Sequence, residues 1–246
     1  MKPWPYPFWI AHRGAGRLAP ENTLAAFRLG AGYGFRMFEC DARLSADGVP
    51  FLLHDNTLER TSNGRGVAGE QPWAALARLD AGAWHSRRYA GEPLATLEGL
   101  VRFCLAGRHW LDIEIKPTPG TERRTGEVVA QCAAGLWTGT DLAPPLLTSF
   151  SPEALEGARS AQPELPRGLL LDALREGWLD TARRLDCAAI VCRYPLWDKD
   201  SVAQVHAAGL RALSYTVNDE SVVRWLGGLG TDGIVTDRVD CFGAAA

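Results

Sequence analysis

Apolar positions along this chain follow two alternating rhythms. Short apolar runs suit strands, and the longer stretches between them repeat at helical spacing. The runs Phe8–His12, Met37–Asp41, Trp110–Ile115, Leu146–Phe150, Gly168–Leu171, Ala188–Cys192, Ala212–Val217 and Gly233–Thr236 are expected as strands. Helices are expected at Asn22–Tyr33, Arg124–Leu136, Pro152–Ala161, Ala173–Leu185, Asp198–Ala208 and Asp219–Leu229. Several open on start signals: Ser151-Pro152-Glu153 reads as cap, first-turn proline and acid, and Asp198 and Asn218-Asp219-Glu220 are similar. Strand alternating with helix from end to end argues for a parallel sheet, and eight such strands suffice for a closed (β/α)₈ barrel.

A ninth run, Val49–His54, follows Asp47-Gly48, a dipeptide that favours a tight hairpin. Tight turns do not join parallel strands. This run is therefore expected as the returning arm of an excursion above the second strand, over the barrel mouth. A doubly wound sheet would need a phosphate-binding glycine loop after its first strand, and His12-Arg13-Gly14-Ala15-Gly16 does not continue into that fingerprint. Residues Asn56–Pro93, rich in Gly, Arg and Trp, break the rhythm, with one short helix expected at Trp73–Leu79. They are expected to form an insertion capping the site within a single domain. No internal repeat is found, and Gly243–Ala246 reads as a frayed end.

The 246-residue length is close to the ~250 of one such barrel. A formal charge of −3 gives no general electrostatic reason to bind nucleic acid or an anionic membrane. The six cysteines form no CxxC pair, and Cys40, Cys104 and Cys192 sit in apolar runs as buried thiols do. A reducing compartment is expected. Met1–Trp9 holds no apolar core of a signal peptide, and no stretch approaches the ~20 apolar residues of a membrane span, so a cytoplasmic protein is expected.

Residues two apart on a strand share a face, so Glu39 and Asp41 point together, as do Glu114 and Lys116. Both pairs lie at strand ends, where barrel active sites are built. Carboxylates crowded at one mouth raise one another's pKa unless a cation compensates, and an all-oxygen set suits Mg²⁺ or Ca²⁺. The plainer alternative pairs Asp41 with Arg43 and Glu114 with Lys116 as rim salt bridges. His12 and His54 each close an apolar strand and can divide acid and base duties; His85, His109 and His206 are read as ordinary polar residues. Arg13 and Lys116 could hold phosphate oxygens. Amidohydrolase chemistry would call for His-x-His on the first strand, which is absent. Thr148 and Ser149 lack a Gly-x-Ser-x-Gly elbow and are read as pocket lining.

In order and spacing, these residues resemble the glycerophosphodiester phosphodiesterase signature. The match runs through His12-Arg13-Gly14, Pro20-Glu21-Asn22-Thr23, Glu39-x-Asp41, Asp47-Gly48 and His54-Asp55. It continues through Leu58-Glu59-Arg60-Thr61, Pro93-Leu94-Ala95-Thr96-Leu97, Glu114-Ile115-Lys116, Ser149-Phe150, Thr216-Val217-Asn218 and Gly233-Ile234-Val235-Thr236-Asp237. The resemblance implies a barrel with a small segment over its mouth that hydrolyses small-molecule glycerophosphodiesters to glycerol 3-phosphate and an alcohol. It implies Glu39, Asp41 and Glu114 as ligands of Mg²⁺ or Ca²⁺, His12 and His54 as the acid–base pair, and Arg13 and Lys116 on the phosphate. Phe150 and Tyr215 are expected to line the pocket. Tyr215 stands where the family often has Trp, and Val239 where it usually has Pro. The alternatives are a lyase-like phospholipase D of the same superfamily, which ends at a cyclic phosphate, and a non-catalytic barrel.

Overall fold

The computed structural model describes residues 4–243; the expected frayed end, except for Gly243, lies outside them. Eight parallel strands run β1 (Trp9–Ala11), β2 (Met37–Leu44), β4 (Trp110–Ile115), β5 (Leu146–Ser149), β6 (Arg167–Leu171), β7 (Ala189–Arg193), β8 (Arg211–Tyr215) and β9 (Gly233–Thr236). Each pairs in parallel with its neighbours, and the pairing of β1 with both β2 and β9 closes the ring. The expected barrel is the observed one.

The ninth strand, β3 (Pro50–Leu52), returns antiparallel on β2, with Ala42 opposite Leu52. Gly48 turns the hairpin at φ +83°, a conformation glycine takes without steric cost. The expected arm is thus present but shorter, and His54 follows it in the loop.

The helices α1 (Leu24–Gly32), α2 (Trp73–Leu76), α3 (Leu97–Gly107), α4 (Glu122–Trp137), α5 (Pro152–Ala161), α6 (Trp178–Arg184), α7 (Lys199–Ala207) and α8 (Glu220–Leu229) follow in chain order. The start signals behave as read: Ser151 accepts from the Ala154 N–H, Asp198 forms a capping box with Ser201, and Asp219 accepts from Ser221 and Val222. Two expected starts move inward. Asn22 sits at φ +60°, outside any right-handed helix, so Thr23 caps α1 instead. Gly177, at φ +76°, stops the expected Ala173 start and delays α6 to Trp178. The helix α3 was not among those expected, although Leu97, Leu100, Val101 and Cys104 bury one face at helical spacing behind the Thr96 cap.

Inside the ring, Ile10, Met37, Leu146, Leu170, Val191, Leu213 and Val235 pack together. Residues of the strands' other faces pack against the helices. The segment from Asn56 to Pro93 has an apolar cluster of its own, in which Leu58, Ala68, Leu76 and Ala81 meet Phe51 and Leu53 of the hairpin arm. No helix among the described residues is long and apolar enough to cross a membrane. All six thiols are free, four of them buried.

Candidate active site

The strand period puts Glu39 and Asp41 of β2 and Glu114 of β4 on the inner wall, and the register sets Asp41 directly beside Glu114. One oxygen from each comes within 4.8 Å of the others. All three residues are buried. Asn22 fixes Asp41 from two sides, donating its amide to Oδ2 at 2.7 Å and accepting the Asp41 N–H at 3.1 Å. Asn22 holds this position with a left-handed backbone at φ +60°, a conformation Asn tolerates better than most residues. Arg13, also left-handed at φ +51°, donates its backbone N–H to Glu39 Oε2 at 3.0 Å, while its side-chain Nε lies 3.2 Å from Asp41 Oδ2.

The rim salt-bridge alternative fails for Asp41 and holds for Glu114. Arg43 turns away to the carbonyls of Leu53 and His54, at 3.1 and 2.8 Å. Lys116 Nζ lies 2.9 Å from Glu114 Oε1 and 3.6 Å from Asp41 Oδ1. Asp41 Oδ1 is buried with no hydrogen-bond partner, and Glu114 Oε1 faces the Lys116 ammonium. A buried carboxylate oxygen without a hydrogen bond is costly, and a hard cation would satisfy it. The donor set therefore fits a divalent ion.

The charges are unbalanced without one. Burial, then the charges of Asp41 and Glu114, push the Glu39 carboxyl well above its ordinary value. Burial and Asp41 push Glu114 up to about 7. Against its own burial, Arg13 and Lys116 hold Asp41 below the ordinary carboxylate range.

Both histidines face the same cleft. His12 Nδ1 lies 2.6 Å from Asp237 Oδ1, and Nε2 lies 3.9 Å from Glu39 Oε2. Asp237 is itself fixed by Asn218, which donates to Oδ2 at 2.8 Å and accepts the Asp237 N–H at 2.9 Å. Gly16 lets the loop after β1 lie against this strand end, since a Cβ there would meet the Asp237 carbonyl at 2.2 Å. His54 Nδ1 lies 2.7 Å from Asp55 Oδ1. Burial and the neighbouring Arg13 and Lys116 hold His54 below its ordinary pKa, although Asp41 pulls the other way.

His12, Arg13, Glu39, His54, Glu114 and Lys116 line a cleft of about 190 Å³, with Leu170, Val191 and Val235 as its apolar wall. Phe150 and Tyr215 stand edge to face with ring centroids 5.8 Å apart, and Lys116 Nζ lies 5.7 Å from the Phe150 centroid. Thr148 lines the cleft and donates to Asp112, while the Ser149 hydroxyl is spent on the Ile115 carbonyl. His85, His109 and His206 are elsewhere; His206, for one, pairs with Asp232 at 2.8 Å.

The sequence reading assigned no role to Asp112, whose carboxyl burial pushes up to about 8 on the cleft wall. It lies two residues before Glu114, so strand alternation alone points to it. Asn22, Asp55, Asn218 and Asp237 carry no supporting role in the sequence pattern, where they stand as signature residues and, for the two asparagines, as helix starts. Among the described residues, the segment from Asn56 to Pro93 contributes no side chain to the cleft lining and reaches the rim through Arg60.

The profile of the glycerophosphoryl diester phosphodiesterase family matches residues 12–241. The chain belongs to this family. An Oleispira antarctica phosphodiesterase, solved in complex with the product sn-glycerol-3-phosphate, superposes with a TM-score of 0.89 at 36% identity over 94% of this chain and 93% of that one. An Agrobacterium tumefaciens glycerophosphodiester phosphodiesterase superposes at 0.77, with 29% identity over 94% and 96% of the two chains. The Bacillus subtilis glycerophosphodiester phosphodiesterase is 27% identical over 95% of this chain and 84% of its own. The cleft is thus the candidate site of a phosphoric diester hydrolase.

Proposed function

We propose that the chain hydrolyses glycerophosphodiesters to glycerol 3-phosphate and an alcohol, with His12 and His54 as the acid–base pair. Glu39, Asp41 and Glu114 would hold one divalent ion, Mg²⁺ or Ca²⁺. The observation that carries this reading is the meeting, in one cleft, of two carboxylate-backed imidazoles and two cations beside three carboxylates. The glycerol 3-phosphate bound by the Oleispira antarctica protein supports the product side. The ion would supply fixed positive charge for the phosphoryl oxygens.

The protein's own groups supply the rest. Each imidazole has Nδ1 tied to an aspartate, which leaves Nε2 for the substrate. One Nε2 takes the proton of the attacking oxygen, and the other gives a proton to the departing alcohol. Arg13 and Lys116 hold non-bridging oxygens and offset their growing charge. Phe150 and Tyr215 give the organic part of the substrate an apolar wall. The chain acts as a single domain, its 56–93 segment bracing the mouth.

The test is turnover of a panel of glycerophosphodiesters by pure protein before and after exhaustive chelation, with products followed by phosphorus NMR. Glycerol 3-phosphate should form only with metal present. Full turnover with no metal detected by elemental analysis would end the metal assignment, and an accumulating cyclic phosphate would make the chain a lyase. His12→Ala and His54→Ala should each cost roughly 10²–10⁴-fold.

A further inference from the structure

Arg60 belongs to the inserted segment, yet four of its donor contacts end on two rim carboxylates. Its Nε and one terminal nitrogen reach Asp55 at 2.5 and 3.0 Å. Its terminal nitrogens reach both Glu21 oxygens at 2.7 and 2.8 Å. Beyond these carboxylates stand two groups of the cleft. Asp55 Oδ1 lies 2.7 Å from His54 Nδ1, and Glu21 Oε1 accepts from the Arg13 guanidinium at 2.8 Å. The path from His54 to Arg13 is therefore an unbroken chain of charge-assisted contacts with Arg60 at its centre.

We infer that Arg60 is a positioning residue: its double fork fixes Asp55 behind His54 and Glu21 behind Arg13, setting acid–base geometry and phosphate grip together. The inference rests on the roles proposed above for His54 and Arg13. Four of the five guanidinium N–H donors are engaged, so Arg60 is not free to grip a phosphate itself. A lysine would offer one point charge where two planar carboxylates need a fork.

The loop that carries Arg60 is built to hold it. Leu58 and Thr61 are buried, the Ser62 hydroxyl donates to the Leu58 carbonyl at 2.6 Å, and Thr57 bridges to Val67. The buried Arg43 ties the start of the loop to the site by donating to the His54 carbonyl and the Asn56 side chain. The carboxylates respond as such a clamp requires. The Arg60 hydrogen bonds hold Asp55 below its ordinary range, and Arg60 with Arg13 holds Glu21 below its own despite burial.

The experiment is steady-state kinetics on the full metal-loaded chain for Arg60→Ala, Arg60→Lys, Glu21→Gln, His54→Ala and the double variant of Arg60 and His54. Arg60→Ala should lower kcat by up to about 10²-fold, the scale of a small misplacement of a catalytic group, and also raise KM. Arg60→Lys should lie nearer to Arg60→Ala than to wild type. Free guanidinium at millimolar concentration should restore part of the kcat of Arg60→Ala and none of that of His54→Ala. On the His54→Ala background, Arg60→Ala should cost no further kcat while still raising KM through Arg13.

The side chain of Arg60 is 44% exposed, so its variants should fold. If Arg60→Ala does not, Arg60→Lys and Glu21→Gln carry the test, and Glu21→Gln should raise KM more than it lowers kcat. Wild-type kcat and KM in Arg60→Ala, with His54→Ala inactive, would overturn the inference and leave the two-histidine reading standing. Full additivity with His54→Ala and no rescue would reduce Arg60 to a general structural contact, which also overturns it. Wild-type turnover in His54→Ala would instead remove the two-histidine reading and, with it, the His54 arm of this clamp.

Discussion

In the chelated protein, Glu114 is a buried acid beside a charged one, and this should be measurable as stability. Its carboxyl rises from an ordinary 4.5 to about 7, first through burial and then through Asp41, against the pull of Lys116. The folded chain therefore holds this proton more tightly than the unfolded chain does. Stability from this group is complete below the unfolded pKa and is lost as pH climbs through the folded one. The loss amounts to about 3 kcal/mol, or about 6–12 °C in Tm for a chain of this size. Glu39, pushed up by burial, acts in the same direction, whereas Asp41, held low, titrates below this window. Glu114→Gln has no such proton to lose. Without metal it should exceed the wild type in stability at about pH 8, with the gap closing towards about pH 4. A divalent ion should reverse that order, adding about 2.7 kcal/mol to the wild type at a hundredfold excess over Kd and much less to the variant. Denaturant midpoints across pH, with and without chelator, are the assay. A chelated wild type whose midpoint holds or rises between about pH 5 and about pH 8 would refute the reasoning.

Asp237→Asn removes the charge from the 2.6 Å contact behind His12 while Asn218 stays in place. A hydrogen bond to a charged group is worth about 1.5–3 kcal/mol, so kcat/KM should fall roughly 10–100-fold; steady-state kinetics within a few-fold of wild type would detach Asp237 from the mechanism. Asp55→Asn removes the anion that favours the His54 imidazolium, so the pKa of His54, already held low by burial, should fall further. The proposed acid–base pair should give a bell-shaped pH profile of kcat/KM, and one limb should then shift to lower pH; if both limbs stay put, His54 does not titrate in the profile. Phe150→Ala should raise KM several-fold at near wild-type Tm, because this ring is 42% exposed; an unchanged KM across the substrate panel would take Phe150 out of the substrate wall.

What the sequence made legible was whatever repeats at short range. Strand alternation placed Glu39 beside Asp41 and set both near Glu114, because a two-residue period fixes the face wherever the strand is buried. The Asp47-Gly48 turn likewise announced the hairpin that carries the chain towards His54. Helix starts were less secure where one residue leaves the right-handed region. Nothing in an apolar pattern foretells that Asn22 or Gly177 sits at positive φ.

The supports of the site were least legible, for a related reason. Asp237 is 225 residues from the histidine it backs, and Arg60 is 39 from Glu21. A closed barrel brings its first and last strands together, so His12 at the end of β1 meets the loop after β9 only once the ring has formed. Such pairs carry no periodicity, since each partner lies in a loop whose direction the neighbouring strand sets. Asp112 differs, because alternation on β4 already places it on the Glu114 face, two residues deeper. Buried carboxyls kept apart from compensating charge tend to mark functional ground, and Asp112, pushed up to about 8 by its burial, lies on the wall of the cleft that holds the histidines. The division follows from the fold: the strands determine which charges converge, and the loops determine which partners hold them there.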